Sequence, residues 1–584
     1  MRNALSCFAL AACLITTCHQ APAQQQPTTP TFKSRADLVL VPAIVRDKHG
    51  SHVSGLTASD FTLMDNGARQ KIASVEEIGP AANPARPETV DAQSAGAAEF
   101  TNFAGRTTRA PQPTGVIIIA LDLVNTPMLD LVTARRAVVQ FLSTQIKNSQ
   151  PVGLVTIEPG QVRMLHAFTT STAILNAALQ RVTAVGAVAE TAVPTTNDQV
   201  TPRDAASIQA ESAALSHFID PQAAAAMQDL RDATTAMNRA RQAQGVGTTL
   251  DALRQIASWV AGLPGRKVLI WATGQIPFIT EQGQMGLGKL GAEDYQRTMK
   301  ALADANVAIY PMDVRGIFNA DFAANSSLYM GPGSDVFDEM IARPTRGSRG
   351  VQRASGMLQR GVSHLPENHF AMNDLAKATG GQAFYNRNDI PKMFDAAVAD
   401  SAHYYMLSYY LDHAHSKPGW HKLQVSVSRP EVVTRARTGF FVSHAADNKA
   451  SLREADENTA LASPFEYTAL PITLKWKDTQ AGSRKVQFEV NLPPAAGVVD
   501  AENNSVDLDF LAVATAANAE VAGRSTRNFH ATLGSAALQQ ITTYGVTYLS
   551  DLDLKPGEYA VRLVVRDNLT GRLGSITAPL TVAK

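Results

Sequence analysis

Six consecutive apolar residues, 116–121 (VIIIAL), run without a break into Asp122. A run so short has no polar face, so as a strand it needs cover on both sides, the situation of a central strand in a parallel sheet. Helical periodicity follows, with Val132, Val138, Val139, Phe141, Leu142 and Ile146 on one stripe. The alternation recurs downstream. Strands are predicted at 152–157 (VGLVTI), 267–271 (KVLIW), 307–312 (VAIYPM) and 382–384, and helices at 172–182, 250–260, 292–305, 373–378 and 390–400. The stretch 162–168 (VRMLHAF) lies close enough to 152–157 to return as an antiparallel hairpin arm. This pattern predicts an α/β doubly wound central domain over 115–440, interrupted by insertions at 186–246 and 316–366. The first insertion reads as a helical hairpin broken at Asp220-Pro221.

The flanks have other chemistry. Residues 4–17 are almost unbroken apolar, too short to span a hydrocarbon core of about 30 Å as a helix. With Arg2 before them and Ala21-Pro22-Ala23 after, they predict a signal peptide over 1–23 and export to the periplasm or medium. Cys7, Cys13 and Cys18 all precede that cut, so the mature chain is expected to lack disulfides and thiolate ligands. Leu10-Ala11-Ala12-Cys13 resembles a bacterial lipobox and leaves a lipoprotein as the alternative. A polar leader occupies 24–31, and 32–79 alternates strand and turn chemistry as a small N-terminal β module. Residues 80–114 gather Pro, Ala, Gly and Thr as a linker, 441–466 form a second join, and short alternating runs over 467–584 predict a C-terminal β-sandwich. The 52 basic and 52 acidic residues cancel, which removes a global electrostatic case for nucleic acid or an anionic membrane as partner. No other stretch has the length of apolar sequence for a transmembrane segment in the mature chain.

In a doubly wound sheet, ligands gather beyond the carboxyl ends of the strands. Asp122-Leu123-Val124-Asn125-Thr126-Pro127 occupies that position after the first strand. The motifs at 38–67 (LVLVPAIVRDKHGSHVSGLTASDFTLMDNG), 117–127 (IIIALDLVNTP), 263–274 (LPGRKVLIWATG), 374–384 (DLAKATGGQAF) and 403–410 (HYYMLSYY) follow one another in a distinctive order. By these the chain resembles the VWFA-related proteins known chiefly from acidobacteria, which carry a von Willebrand factor A (VWA, Rossmann-like) domain.

The resemblance implies a metal-dependent adhesion site of the form Asp-x-Ser-x-Ser, completed by a Thr from a later loop and an Asp after the fourth strand. Asp122 matches the first Asp, Thr126 can replace the second Ser, and Thr248 or Thr249 can supply the separate Thr. Val124 has no oxygen donor, and Ala272-Thr273-Gly274 stands where the last Asp is expected. The expectation is therefore a degenerate site: no cofactor, or a weakly bound Mg²⁺ on Asp122, Thr126 and Thr249. Asp122, Asn125, Thr126, Thr248, Thr249 and Thr273 form the candidate binding rim.

Other patterns carry less. Gly286-Leu287-Gly288-Lys289-Leu290-Gly291 matches GxGxxG without a strand directly before it, and Leu290 stands where a P-loop has Ser or Thr. His403, His413, His415 and His421 cluster in sequence as a conceivable zinc set, more simply read as decoration of a hairpin. The functional expectation is an exported, non-enzymatic binding or adhesion-type protein engaging a protein or glycan. The alternative is a structural component of the cell envelope acting through its C-terminal sandwich.

Overall fold

The computed structural model describes residues 36–79, 99–102, 115–126, 128–145, 150–189, 221–277, 288–314, 365–387, 390–412, 417–442, 450–477, 484–500 and 503–583. Its first strands are β1 (Ala36–Asp47), β2 (Phe61–Asp65), β3 (Ala68–Arg69), β4 (Ile72–Ile78) and β5 (Glu99–Thr101). Then come β6 (Gly115–Asp122), α1 (Met128–Gln145), β7 (Val152–Glu158), β8 (Gln161–Thr169), α2 (Thr172–Ala189) and α3 (Pro221–Val260). The order continues with β9 (Arg266–Thr273), α4 (Gly288–Asp304), β10 (Val307–Asp313), α5 (Leu365–Thr379) and α6 (Ile390–Ala402). Strands return as β11 (Tyr404–Asp412), β12 (Gly419–Val427), β13 (Val432–Ala436) and β14 (Gly439–Val442), followed by α7 (Ala450–Ala462). The last elements are β15 (Thr473–Trp476), β16 (Lys485–Leu492), β17 (Ser505–Ala516), β18 (Val521–Thr532), α8 (Ser535–Tyr544), β19 (Val546–Asp553), β20 (Gly557–Asp567) and β21 (Leu573–Val582).

The doubly wound α/β class expected for the chain is corrected by its sheets. The described strands form five, and four of these are wholly antiparallel, so the fold is β-rich and built from several small sheets. One sheet alone, β10-β9-β6-β7-β8, contains parallel pairs, and β8 closes it antiparallel to β7. The reason is local. Apolar runs followed by helical stripes report faithfully on 115–313, whereas the alternating strands around them pair with distant segments that periodicity cannot assign.

The domain boundaries move for the same reason. The stretch 32–79 is not a module by itself: β1 and β4 flank β11, β1 also pairs with β13, and β2 pairs with β12. Two sheets, β13-β1-β11-β4 and β14-β12-β2-β3, share a core that includes Val41, Phe61, Leu63, Tyr405 and Leu407. The strands of 404–442, expected within the central domain, belong to this unit. Within the expected linker 80–114, β5 joins β15, and Asn102 Nδ2 donates to the carbonyls of Tyr467 and Leu470 at 2.6 and 2.9 Å. Residues 203–220 of the expected helical hairpin lie outside the described residues, and α3 runs unbroken from Pro221, a residue favoured in a helix's first turn.

The sheets β19-β16-β15-β5 and β18-β17-β20-β21 pack over a second shared core containing Phe488, Val490, Phe510 and Leu563. A third continuous core unites this end of the chain with the parallel-containing sheet. Phe465, Tyr467, Leu511 and Val564 pack in one cluster with Leu253, Ile256 and Trp271.

Buried polar clamps fix the first unit to the same sheet. Asp400 of α6 receives Arg46 of β1 at 2.8 Å, Arg435 of β13, and the Tyr310 hydroxyl of β10 at 2.9 Å. Arg437 donates to the carbonyls of Ala303 and Leu40, and its burial holds the guanidinium down to about 10. The histidines are dispersed. His421 lies between the Asp65 carboxylate (2.9 Å) and the Lys417 carbonyl (2.8 Å), His403 lies tilted against His52 with ring centroids 5.3 Å apart, and His413 and His415 lie outside the described residues.

Gly381 marks the closest approach to β10. A Cβ there would sit 1.9 Å from the Ile309 carbonyl oxygen. Gly381→Ala is expected to cost more than about 2 kcal/mol in chemical denaturation, because backbone must move to admit the methyl group. Gly247→Ala, in α3 with open space around it, should be neutral or slightly stabilising.

Candidate functional site

All eight residues of β6 are buried, and the strand divides two cores by parity. Ile117, Ile119 and Leu121 pack with α1, α2 and α6, while Val116, Ile118 and Ala120 pack with α3, α4 and α5. With β9 on one side and β7 on the other, β6 delivers Asp122 to the middle of the sheet's carboxyl edge. β9 ends beside it, since Leu121 is in register with Ala272. Thr273 follows on the neighbouring strand.

Five donors converge on the Asp122 carboxylate. Oδ1 accepts the backbone N–H groups of Val124 and Asn125, both at 2.9 Å. Oδ2 accepts Asn125 Nδ2 at 2.8 Å, Thr273 Oγ1 at 2.8 Å and Trp271 Nε1 at 3.1 Å. The same Asn125 amide donates to Thr249 Oγ1 at 2.9 Å, and that hydroxyl donates to the Gly245 carbonyl at 2.8 Å. Thr126 Oγ1 accepts the Gly274 N–H at 2.9 Å. The structure therefore brings Asp122, Asn125, Thr126, Thr249 and Thr273 together. Thr248 is different: it lies half-buried inside α3, one residue before the position that reaches the cluster.

Burial pushes the Asp122 carboxyl above the ordinary carboxylate range, opposed by its hydrogen bonds from Asn125, Thr273 and Val124. Thr273 makes either protonation state tenable. Its hydroxyl lies 2.8 Å from Asp122 Oδ2 and 2.7 Å from the Gln275 carbonyl, yet has one proton to give. A protonated Asp122 can donate to Thr273, which then donates to Gln275. An ionised Asp122 accepts the Thr273 hydrogen bond itself.

This donor set does not fit a resident Mg²⁺ on Asp122, Thr126 and Thr249. Both Asp122 oxygens are saturated by N–H and O–H donors, and the two threonine hydroxyls already hold the loops. A hard dication needs several free oxygen lone pairs in octahedral array, and here they are committed. The cluster is a network that ties the loops after β6 and β9 to each other and to α3. Asp122, Thr249 and Thr273 are wholly buried, and Asn125 and Thr126 nearly so, so the expected rim presents no open surface at these side chains.

A second acid at the same edge was missed in the sequence. β10 ends in Asp313, in register with Thr273 and buried. His369 of α5 lies 3.4 Å from its carboxylate and stacks on Tyr385 with ring centroids 4.1 Å apart. Asn368 Oδ1 accepts the Ile276 N–H at 2.8 Å, tying α5 to the loop after β9. The signal was available: 307–312 is an apolar run followed at once by Asp313, the pattern that singles out Asp122. The GxGxxG motif falls partly within 278–287, outside the described residues.

Comparison with known proteins adds little. No family profile and no curated protein matches the chain. Among solved structures, dimeric latent PorU from Porphyromonas gingivalis matches at 12% identity and a TM-score of 0.14, over 31% of this chain and 14% of that chain. A likeness so slight carries no argument. Among the described residues no helix is long and apolar enough to cross a membrane.

The raised Asp122 carboxyl has a measurable consequence. Above the ordinary value and up to its folded value, the folded chain keeps a proton that the unfolded chain has released, so stability falls as pH rises through that window. Asp122→Asn removes this dependence. The stability difference between variant and wild type should move in the variant's favour as pH rises from about 4, read by urea denaturation. Asp122→Ala, which strands five donors, should cost more than about 3 kcal/mol at any pH.

Proposed function

We propose that the chain is an exported, non-enzymatic binding protein that engages a protein or glycan, the class that the resemblance to VWFA-related proteins implies by analogy. The observation that carries this reading is the saturation of the Asp122 network. The side chains of Asp122, Asn125, Thr126, Thr249 and Thr273 are spent on one another and on backbone groups, and catalysis needs a nucleophile or base with reach to a substrate. In this reading the cluster is a frame, and contacts are made by surfaces built on it.

One observation favours a second reading, assembly through the C-terminal sheets. β18 is a 12-residue edge strand exposed along most of both faces, with Val521 and Phe529 uncovered, and Leu549 and Tyr544 are exposed nearby in sequence. Such an edge offers main-chain groups and apolar area to another chain.

The purified protein, immobilised over protein and glycan arrays, should bind its partner reversibly and return it chemically unchanged. Conversion of the bound molecule, abolished by Asp122→Asn, would overturn the binding reading. Phe529→Lys combined with Leu549→Lys separates the two routes. It should abolish partner capture if assembly runs through the sandwich, and leave capture intact if it does not.

A further inference from the structure

A cleft of about 770 Å³, with no residue of the Asp122 network in its lining, opens where α3, α4, α7, the β12–β14 pair and the loop between β20 and β21 meet. We infer that this cleft is a binding site for a neutral oligosaccharide, an inference that rests on the proposed binding role and names its ligand class.

An alternating ladder of charge lines the cleft at Asp251, Arg254, Arg297, Asp456 and Arg566, with Asp294 linking two of its arginines. Arg254 is paired with Asp251 on α3 and with Asp294 on α4 at 3.4 Å. Arg297 continues from Asp294 at 3.3 Å to Asp456 on α7. Arg566 on β20 meets Asp456 at 3.2 Å. Three arginines and three aspartates thus run across three helices and a strand, and the other cations lining the cleft are paired as well, Lys300 with Asp304 at 2.5 Å and Arg572 with Asp567 at 3.0 Å.

A ladder already paired discriminates by charge. An anion or cation entering the cleft must displace an existing partner, and breaking a half-buried pair leaves the other ion uncompensated. A hydroxyl does not face that penalty. It can accept from a guanidinium N–H and donate to a carboxylate oxygen together, without separating the pair. Gln255 and Gln296, both lining the cleft, add amides with the same dual capacity. Phe441 contributes an aromatic wall braced by Trp420 at 4.9 Å, suited to the C–H face of a sugar ring.

The walls are also fixed in advance. Residues beneath the cleft on α3, on the segment after α7 and on β20 belong to one continuous apolar core, among them Ile256, Phe465 and Val564. Binding then requires little reorganisation, which weak polyol contacts cannot offset. The volume lies in the range of ordinary small-ligand sites.

Calorimetric titration of the full chain with maltohexaose, cellohexaose, xylohexaose and chitohexaose tests this, with hexagalacturonate and chitosan hexamer as charged counterparts. At least one neutral hexaose should bind with a Kd of about 1 mM or tighter, and both charged oligomers at least about tenfold more weakly. Gln255→Ala combined with Gln296→Ala lies outside the ladder and should weaken binding about tenfold with an unchanged melting temperature. Arg297→Lys, which keeps the charge but loses the planar fork, should weaken it as well. Asp122→Asn should leave it unchanged. Failure of every neutral hexaose, preference for a charged oligomer, or full affinity in the glutamine double variant would overturn the inference. Capture of a protein partner with no hexaose bound would sink this site while leaving the binding role; a hexaose returned cleaved would sink the role itself.

Discussion

Burying β6 on both faces is the constraint from which the centre of the molecule follows. Apolar side chains of both parities must be covered, so helices pack on each side and the strand can end only at the sheet's edge. The first polar residue after that run emerges where water is already excluded. A carboxyl group there must be neutralised or surrounded by donors. The chain supplies donors from its own loop and from the adjacent β9, which also draws those segments together. Electrostatic necessity at one atom pair therefore sets the course of the loop after β6 and its contact with the end of β9.

The antiparallel units solve a different problem. β1 begins far from β11 in sequence but lies beside it in space, and such non-local pairing has to be held against the entropy of the long intervening chain. Asp400 carries much of that task, gathering one arginine from β1, one from β13 and a tyrosine hydroxyl from β10. Arg266, almost wholly buried, reaches the Gly380 carbonyl at 2.6 Å and Tyr310 at 3.2 Å from the next strand over. Isolated buried ion pairs are weak evidence of stability, but here each carboxylate oxygen has a partner and each partner comes from a different element. The clamp specifies which sheet packs where.

What the sequence made legible divides along the same line. The local pattern of 115–313 locates β6, β7, β9 and β10, the hairpin arm β8, and the position of Asp122, because each depends on residues within a few positions of one another. The placing of Asn125, Thr126 and Thr273 at that edge was also readable, from strand ends, whereas Thr248 or Thr249 entered only through the family resemblance. The pairing of β1 with β11 and the capture of β5 by β15 were not, since nothing local encodes a partner more than 300 residues away. Reading the chain as one doubly wound class failed at that point. The state of the candidate site was hidden for a related reason: residue type reveals that a threonine has an oxygen, but only geometry reveals that a glycine amide already occupies it.

The two polar assemblies on the molecule show how exposure, more than residue type, decides what a set of charges can do. At Asp122 the groups are sealed, so hydrogen-bond capacity is consumed internally and its energy goes into rigidity. Along the Arg254–Asp294–Arg297–Asp456–Arg566 ladder the same functional groups remain partly open to solvent. Their exposed hydrogen-bonding positions are ones that a polyhydroxylated guest can take over without disturbing an ion pair. A network closed to water can only hold the fold. A network that is internally paired but still open to solvent keeps its geometry when the solvent is exchanged for a ligand, and the proposed recognition at the cleft rests on that property.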